Sequence, residues 1–148
     1  MTNRAILVLL PAAVTLGAIF LLSQQDIKGT EDLAWRVEQA LVRLVPPTGK
    51  GDVGEPTWFG LTIRRLAHVA EFLALGLAVA LALHMLAPER LNLLALYLGI
   101  CFLASFADEL HKLFVPGRHF DPQDLLLDGA GYLLALAVWQ LVAHLAGH

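Results

Sequence analysis

Residues 108–128 read DELHKLFVPGRHFDPQDLLLD, a run rich in ionisable side chains that lies between two long apolar segments. Within this run, residues 115–118 (Val-Pro-Gly-Arg) predict a reverse turn, because proline presets one turn position and glycine tolerates the next. Asp121-Pro122 then has the pattern of a helix N-cap followed by proline at the first helical position. The chain therefore doubles back here, which predicts a hairpin of two helices with its charged residues gathered at one end.

The composition is that of an integral membrane protein. Of the 148 residues, 57% are hydrophobic and 16% are charged, which sets the chain apart from ordinary soluble domains. A spanning helix needs about 20 mostly apolar residues, and four segments meet or approach that length, namely 5–22, 66–86, 91–107 and 125–145. We therefore expect an all-α fold, a bundle of four transmembrane helices in two antiparallel hairpins, forming a single domain over residues 1–148.

Two boundaries of these spans can be argued from local sequence. The first segment is expected to remain as an uncleaved helix, because Ser23-Gln24-Gln25 does not follow the small-x-small pattern of a signal-peptide cleavage site. Residues 87–90 (Ala-Pro-Glu-Arg) predict a short polar turn between the second and third spans, since Pro88 cannot continue the helix before it.

The loop after the first span predicts a short amphipathic helix. Thr30 can cap it, apolar residues recur at helical spacing from Leu33 to Val45, and Pro46-Pro47 ends it. Two interpretations remain open at this stage. The helix either rests on the membrane interface with Trp35 as an anchor, or packs as a lid over the bundle.

Charge and cysteine content narrow the function only a little. The net charge is −3 and the basic residues are scattered, so the sequence lacks the basic footprint of a protein that binds nucleic acid. The single cysteine, Cys101, lies in an apolar segment, where we expect it to pack as a small hydrophobic residue. Membrane lipids are the expected partners, and the oligomeric state is left open.

The start of the second span carries a stripe of chemically active side chains. Arg64, His68 and Glu71 follow at i, i+4 and i+7, which places them on one face of a helix. One interpretation is a functional site. The other is that Arg64 and Arg65 extend to lipid head groups while His68 and Glu71 only fix the packing.

The end of the third span and the start of the fourth supply the matching charges. Asp108, His111 and Lys112 share a helical face, with Ser105 a turn earlier and Glu109 turned to the side. In the fourth span Asp121, Asp124 and Asp128 align on one stripe; capping explains Asp121 and the helix dipole favours Asp124. Asp128 lies deeper, where a charge is costly and is usually kept for function.

If these helix ends meet, they form one polar pocket at one membrane face. Three chemistries are then open. Carboxylates and imidazoles could hold a divalent metal, although no fixed ligand spacing identifies one. A carboxylate beside a histidine could act in acid–base catalysis, and arginines could bind the phosphate of a lipid-linked substrate. The candidate catalytic residues are His68, Glu71, Asp108, Glu109, Asp124 and Asp128, and the candidate anion-binding residues are Arg64, Arg65, His111 and Arg118.

The same motifs resemble the VanZ-like family of bacterial membrane proteins. The resemblance rests on RRLAHVAEF followed by LG in residues 64–76, on DELHKLFVPGR in residues 108–118 and on DLLLDGAG in residues 124–131, with SQQ at 23–25. It covers nearly the whole chain, although the family often has glutamine where His111 stands. The resemblance implies a four-helix protein of the inner membrane, with a role in the cell envelope and a founding relative associated with teicoplanin resistance. It implies no known reaction.

Three functions are compared on this basis. The leading hypothesis is a protein that binds or processes an anionic, lipid-linked envelope component through the polar pocket, as an enzyme or only as a binder. The alternative is a structural or regulatory membrane subunit whose polar residues lock the helices together. Ion transport is disfavoured, because the charged residues gather at one face and the other half of the bundle is apolar. We expect both termini in the cytoplasm and the polar pocket on the opposite side.

Overall fold

The computed structural model describes residues 2–51, 54–58, 61–86 and 93–146. Four long helices in these ranges are long and apolar enough to cross a membrane, as predicted. The expected turn at 87–90 lies outside the described residues. In chain order the elements are α1 (Thr2–Ser23), α2 (Ile27–Leu44), β1 (Gly49–Lys50), β2 (Pro56–Thr57), α3 (Ile63–Leu86), α4 (Leu93–Lys112) and α5 (Pro122–Leu145).

The spanning helices extend further at the polar end than their apolar segments suggested. Helix α4 continues past residue 107 to Lys112, and α3 and α5 begin a turn or so before the predicted starts. The charged residues at the start of α3 and at the end of α4 therefore stand on helices, as their spacing predicted. The turn after α4 is as predicted, since the Arg118 amide donates to the Val115 carbonyl at 3.1 Å and Gly117 has a φ of 79°.

Helix α2 begins earlier than predicted. Its N-cap is Asp26, whose carboxylate accepts from the Gly29 amide at 2.8 Å, so the prediction that Thr30 caps this helix is wrong. Both residue types can cap a helix, but the Thr30 hydroxyl instead accepts from Arg118 at 3.2 Å. The helix ends at Leu44, just before Pro46-Pro47, as expected.

A small β-hairpin follows α2 and is tied back to its end. Strands β1 and β2 pair antiparallel, and the next residue, Trp58, is buried with its indole N–H donating to the Val45 carbonyl at 3.1 Å. This bond satisfies a carbonyl at the end of α2 that would otherwise lack a helical partner. The described part of the first loop therefore folds back on the end of α2.

Helix α3 lies at the centre of the bundle and contacts α1, α4 and α5. Its most extensive contact is with α5, which runs parallel to it, although α4 is its neighbour along the chain. Gly131 permits this approach: a Cβ there would lie 2.5 Å from the Val69 carbonyl oxygen and 3.0 Å from the Leu73 amide nitrogen. A Cβ at Gly129 would meet nothing closer than 3.6 Å. Small residues let membrane helices pack closely, and of these two glycines only Gly131 has that role.

Candidate functional site

The polar ends of the four spanning helices meet at one end of the bundle. The end of α1, the start of α3, the end of α4 and the start of α5 bring together a set of largely buried side chains, which we call the polar cluster. Its members are His68, Ser105, Asp108, Glu109, Lys112, Asp124 and Asp128.

His68 is the centre of the polar cluster. Its Nδ1 lies 2.8 Å from Asp128 Oδ1, and its Nε2 lies 3.1 Å from Asp124 Oδ2 and 3.4 Å from Lys112 Nζ. Asp124 and Asp128 are one helical turn apart on α5, so both carboxylates can face the same imidazole. The parallel packing of α3 on α5 thus holds His68 between two carboxylates.

Asp128 positions the histidine ring and is itself held in place. Its second oxygen accepts from the Ser105 hydroxyl on α4 at 2.7 Å, and both side chains are buried. Each carboxylate oxygen therefore has a partner on a different helix, as a buried charge requires. The Ser105–Asp128–His68 chain links α4, α5 and α3.

Lys112 and Ser105 belong to the polar cluster although neither was predicted as a site residue, and Lys112 makes the larger number of charged contacts. Its side chain is 1% exposed, and its ammonium contacts Glu109, donates to Asp124 Oδ2 at 2.9 Å and lies 3.9 Å from Asp108 Oδ2. Glu109, predicted to turn aside, is fully buried, and its other oxygen accepts from the Asp121 amide at 3.0 Å. The signal was present in the spacing, because Lys112 follows Asp108 by four residues and Glu109 by three.

Asp108, a member of the polar cluster, and His111, which lies outside it, both face α1. Asp108 is 1% exposed and lies beside the Ser23 hydroxyl at the end of α1. The His111 ring packs on Phe20, with their centroids 5.5 Å apart. The structure therefore places His111 at the α1–α4 contact, outside the walls of the two cavities that the predicted anion-binding arginines line.

Three side chains could together hold a metal ion, but two of them already contact a lysine. One ligand atom each from His68, Glu109 and Asp128 lie within 4.8 Å of one another, which is a suitable cluster for a divalent cation. The Lys112 ammonium, however, contacts Glu109 and lies 3.4 Å from His68 Nε2. A metal would have to displace this buried positive charge, so the arrangement favours the lysine as the cation of the site.

Two cavities adjoin the polar cluster and share a boundary. The first, which we call the apolar cavity, has a volume of about 340 Å³ and lies between the end of α1, one face of α2 and the start of α3. Its apolar walls include Leu22, Leu33, Val37, Leu41, Leu66 and Ala70.

The second cavity, which we call the polar cleft, has a volume of about 790 Å³ and lies between α2, the β-hairpin, the start of α3 and the turn after α4. Arg64, His68, Arg118 and Thr30 line both cavities. Charged and apolar walls therefore meet at two arginines and the central histidine.

The remaining predicted residues take different positions at this boundary. Glu71 lies in the wall of the apolar cavity, one turn deeper than His68. Arg65 lines the polar cleft, where its guanidinium donates to the Gln123 side chain at 3.1 Å. Asp121 caps α5, as predicted, by accepting from the Gln123 amide at 2.9 Å. All the predicted site residues except His111 therefore belong to the polar cluster or line one of the two cavities beside it.

Comparisons with known proteins give one match. A family model described as VanZ/LLP1 matches residues 8–143, which is nearly the whole chain. The search of curated proteins and the search of solved structures each found no match.

Proposed function

The chain belongs to the VanZ/LLP1 family, and we propose that it binds an anionic, lipid-linked component of the bacterial cell envelope where the apolar cavity meets the polar cleft. The observation that carries this proposal is the shared boundary of the two cavities. An amphipathic ligand needs an apolar wall and a charged wall in contact, and both are present around Arg64, His68 and Arg118.

The apolar cavity suits a hydrocarbon chain. Its volume of about 340 Å³ falls at the lower end of the range for ligand pockets, and its walls come from α1, α2 and α3. Burying apolar surface there is favourable, at roughly 25 cal/mol per Å² removed from water. We assign the occupant of the apolar cavity as the isoprenoid or acyl chain of the ligand.

The arginines at the boundary suit a phosphate. Arg64 is exposed on the first turn of α3, and Arg118 is half-buried and held by the Thr30 hydroxyl. Guanidinium groups match phosphate oxygens in geometry and stay charged at any physiological pH. A phosphate at this boundary would give these two arginines, which face the cavities, an anion with which to pair.

His68 is the residue that we propose for processing, should the ligand be turned over. It lines both cavities, and Asp128 and Ser105 fix its ring orientation. A histidine oriented by a carboxylate is a suitable general acid or base. Asp124 and Lys112 adjoin its second nitrogen, so two charged groups of opposite sign lie beside the nitrogen that Asp128 leaves open.

A link to teicoplanin resistance and the membrane orientation belong to the same proposal. A protein that binds or processes an envelope lipid would change the surface on which a glycopeptide acts. We place both termini in the cytoplasm of an inner-membrane protein, with the polar cleft on the opposite face. A phosphatase fused after residue 148 should then be inactive, and high activity in the periplasm would reverse this orientation.

The alternative function is a structural or regulatory membrane subunit. It is supported by the pairing within the polar cluster, where Ser105, Asp128, His68, Asp124, Lys112 and Glu109 form one connected network across three helices. Such a network can fix helix packing without any ligand. On this view, changes in the cluster should cost stability, and changes in the cavity walls should have no effect on any activity.

Native mass spectrometry of the protein extracted with its lipids tests the two functions. A fifteen-carbon prenyl phosphate and the matching prenyl alcohol serve as probes. We expect the phosphate to bind more tightly, and Arg118→Ala to remove that preference while Arg36→Ala, an exposed arginine of α2 outside both cavity walls, keeps it. Equal binding of both probes by the wild type and by Arg118→Ala would reject the phosphate site.

The enzyme version needs a separate measurement, because binding alone does not show turnover. His68→Gln and Asp124→Asn should abolish processing in a cell-envelope assay while the protein remains folded in detergent. His84→Gln at the other end of α3, where the ring packs on Trp139, is the matched control. Full activity in both site variants would reject the enzyme version and leave the binding version standing.

A further inference from the structure

We propose that the phosphate of the bound lipid carries a sugar, and that the sugar lies in the polar cleft against α2. This inference rests on the proposed function, because it concerns the group attached beyond the phosphate. Three observations carry it. They are the size of the polar cleft, the residues that α2 presents to it, and the finding that two carboxylates among these residues have no partner within the described part of the chain.

The polar cleft is too large for a phosphate alone. A phosphate fills roughly the space of two or three water molecules at about 30 Å³ each, whereas the cleft measures about 790 Å³. Most of the cleft would stay filled with water if the ligand ended at the phosphate. A hexose needs roughly the space of six such waters, so the cleft has room for a phosphate and one or two sugar rings.

Helix α2 presents different stripes to the two cavities. Thr30, Ala34, Val37 and Leu41 recur at helical spacing along the apolar cavity. The neighbouring stripe of Glu31, Trp35 and Glu38, at i, i+4 and i+7, faces the polar cleft. Thr30 and Ala34 line the polar cleft as well, so one helix borders both cavities and gives each of them residues of matching chemistry.

The stripe on the cleft side has the chemistry that a sugar requires. Trp35 is 63% exposed, so its flat apolar face is free to pack against the C–H face of a sugar ring. Glu31 and Glu38 lie one turn to either side, and neither forms an ion pair or a side-chain hydrogen bond with another described residue. Their carboxylates are therefore available to accept hydrogen bonds from sugar hydroxyls.

The charge pattern also favours a sugar over a second phosphate at this end of the cleft. Arg64 and Arg118 lie at the boundary with the apolar cavity, where the phosphate is assigned. A second anion beside Glu31 and Glu38 would be repelled by them. A neutral group rich in hydroxyls meets no such repulsion.

The test compares two lipids that differ only in the sugar. One is a fifteen-carbon prenyl phosphate and the other is the same prenyl phosphate esterified with one hexose. The full-length protein is kept in a zwitterionic detergent without sugar, since a maltoside head group could itself occupy the cleft. We expect the hexose-bearing lipid to bind about tenfold more tightly, the gain that one ring contact and one hydrogen bond to a charged group can supply.

Variants of α2 separate the sugar from the phosphate. Trp35→Leu and Glu38→Gln should remove the tenfold gain and leave the affinity for the plain prenyl phosphate unchanged. Asp32→Asn, an exposed acid of the same helix outside both cavity walls, should keep the gain. Arg118→Ala should instead weaken both lipids, because they share the phosphate.

The outcomes distinguish failure of this inference from failure of the proposed function. If the wild type binds both lipids equally and Arg118→Ala weakens both, the sugar site is rejected and the phosphate site stands. If Trp35→Leu weakens both lipids to the same extent, Trp35 acts on the part that the two lipids share, and the sugar site is again rejected. If neither lipid binds better than the prenyl alcohol, the proposed function itself fails.

Discussion

Replacing Gly131 with alanine should separate α3 from α5 and disturb the polar cluster from a distance. The added Cβ would lie 2.5 Å from the Val69 carbonyl oxygen, 3.0 Å from the Leu73 amide nitrogen and 3.0 Å from Phe72 Cβ. Two of these three atoms belong to the backbone of α3, so no side-chain rotation relieves the clash. Overpacking of this kind costs about 1–3 kcal/mol, against a gain of about 1 kcal/mol for alanine over glycine in a helix interior.

The matched control is Gly129→Ala, two residues earlier on the same helix. Its Cβ would meet nothing closer than 3.6 Å, so only the favourable helix propensity of alanine remains. We therefore expect Gly131→Ala to be less stable than Gly129→Ala by roughly 1–3 kcal/mol, the cost of overpacking alone, in equilibrium unfolding followed by circular dichroism in mixed detergent.

The separation of α3 from α5 should also disturb the polar cluster. His68 of α3 is bonded to Asp124 and Asp128 of α5 at 3.1 and 2.8 Å, and Gly131 lies less than one turn beyond Asp128. Gly131→Ala should therefore weaken binding of the prenyl phosphate as well as stability. Equal stability of the two alanine variants would refute the close contact between α3 and α5 on which the site geometry depends.

Three further predictions concern single contacts. Lys112→Met leaves the surrounding buried carboxylates without a counter-charge and should cost about 3–5 kcal/mol, whereas Lys28→Met, exposed on α2, should be near neutral in the same unfolding assay. Asp26→Ala removes the cap of α2 and should reduce stability by about 1 kcal/mol. Thr30→Ala keeps that cap, so a larger loss from Thr30→Ala than from Asp26→Ala would contradict the assignment. Trp58→Phe removes one hydrogen bond and should cost about 0.5–1.5 kcal/mol, measured as a fall in melting temperature; an unchanged melting temperature would show that this bond adds nothing.

The polar cluster shows which contacts can be predicted from sequence patterns and which cannot. Spacing along one helix predicted that His68 and Glu71 share a face and that Asp124 aligns with Asp128. Both predictions concern neighbours within a single helix, which local sequence determines. Lys112 was harder to assign. Its spacing to Asp108 and Glu109 is local, but its burial depends on α3 and α5 closing over the end of α4.

His111 shows the opposite case. The sequence placed His111 on one face with Lys112 and grouped it with the arginines for anion binding, yet adjacent residues on a helix point about 100° apart and can face different neighbours. The ring therefore meets Phe20 of α1. Which helix lies on that side was not encoded in any local pattern of residues 108–118.

The sequence by itself determined the four spans, the short amphipathic helix, the turn at residues 115–118 and the cap at Asp121. These follow from hydropathy over about 20 residues and from backbone preferences of single residues, both of which act locally along the chain. The tertiary structure alone decided that α3 pairs most closely with α5, that Lys112 is buried among carboxylates and that α2 borders both an apolar cavity and a polar cleft. These outcomes depend on which helices can approach each other, and that is set by the fit of side chains far apart in the sequence.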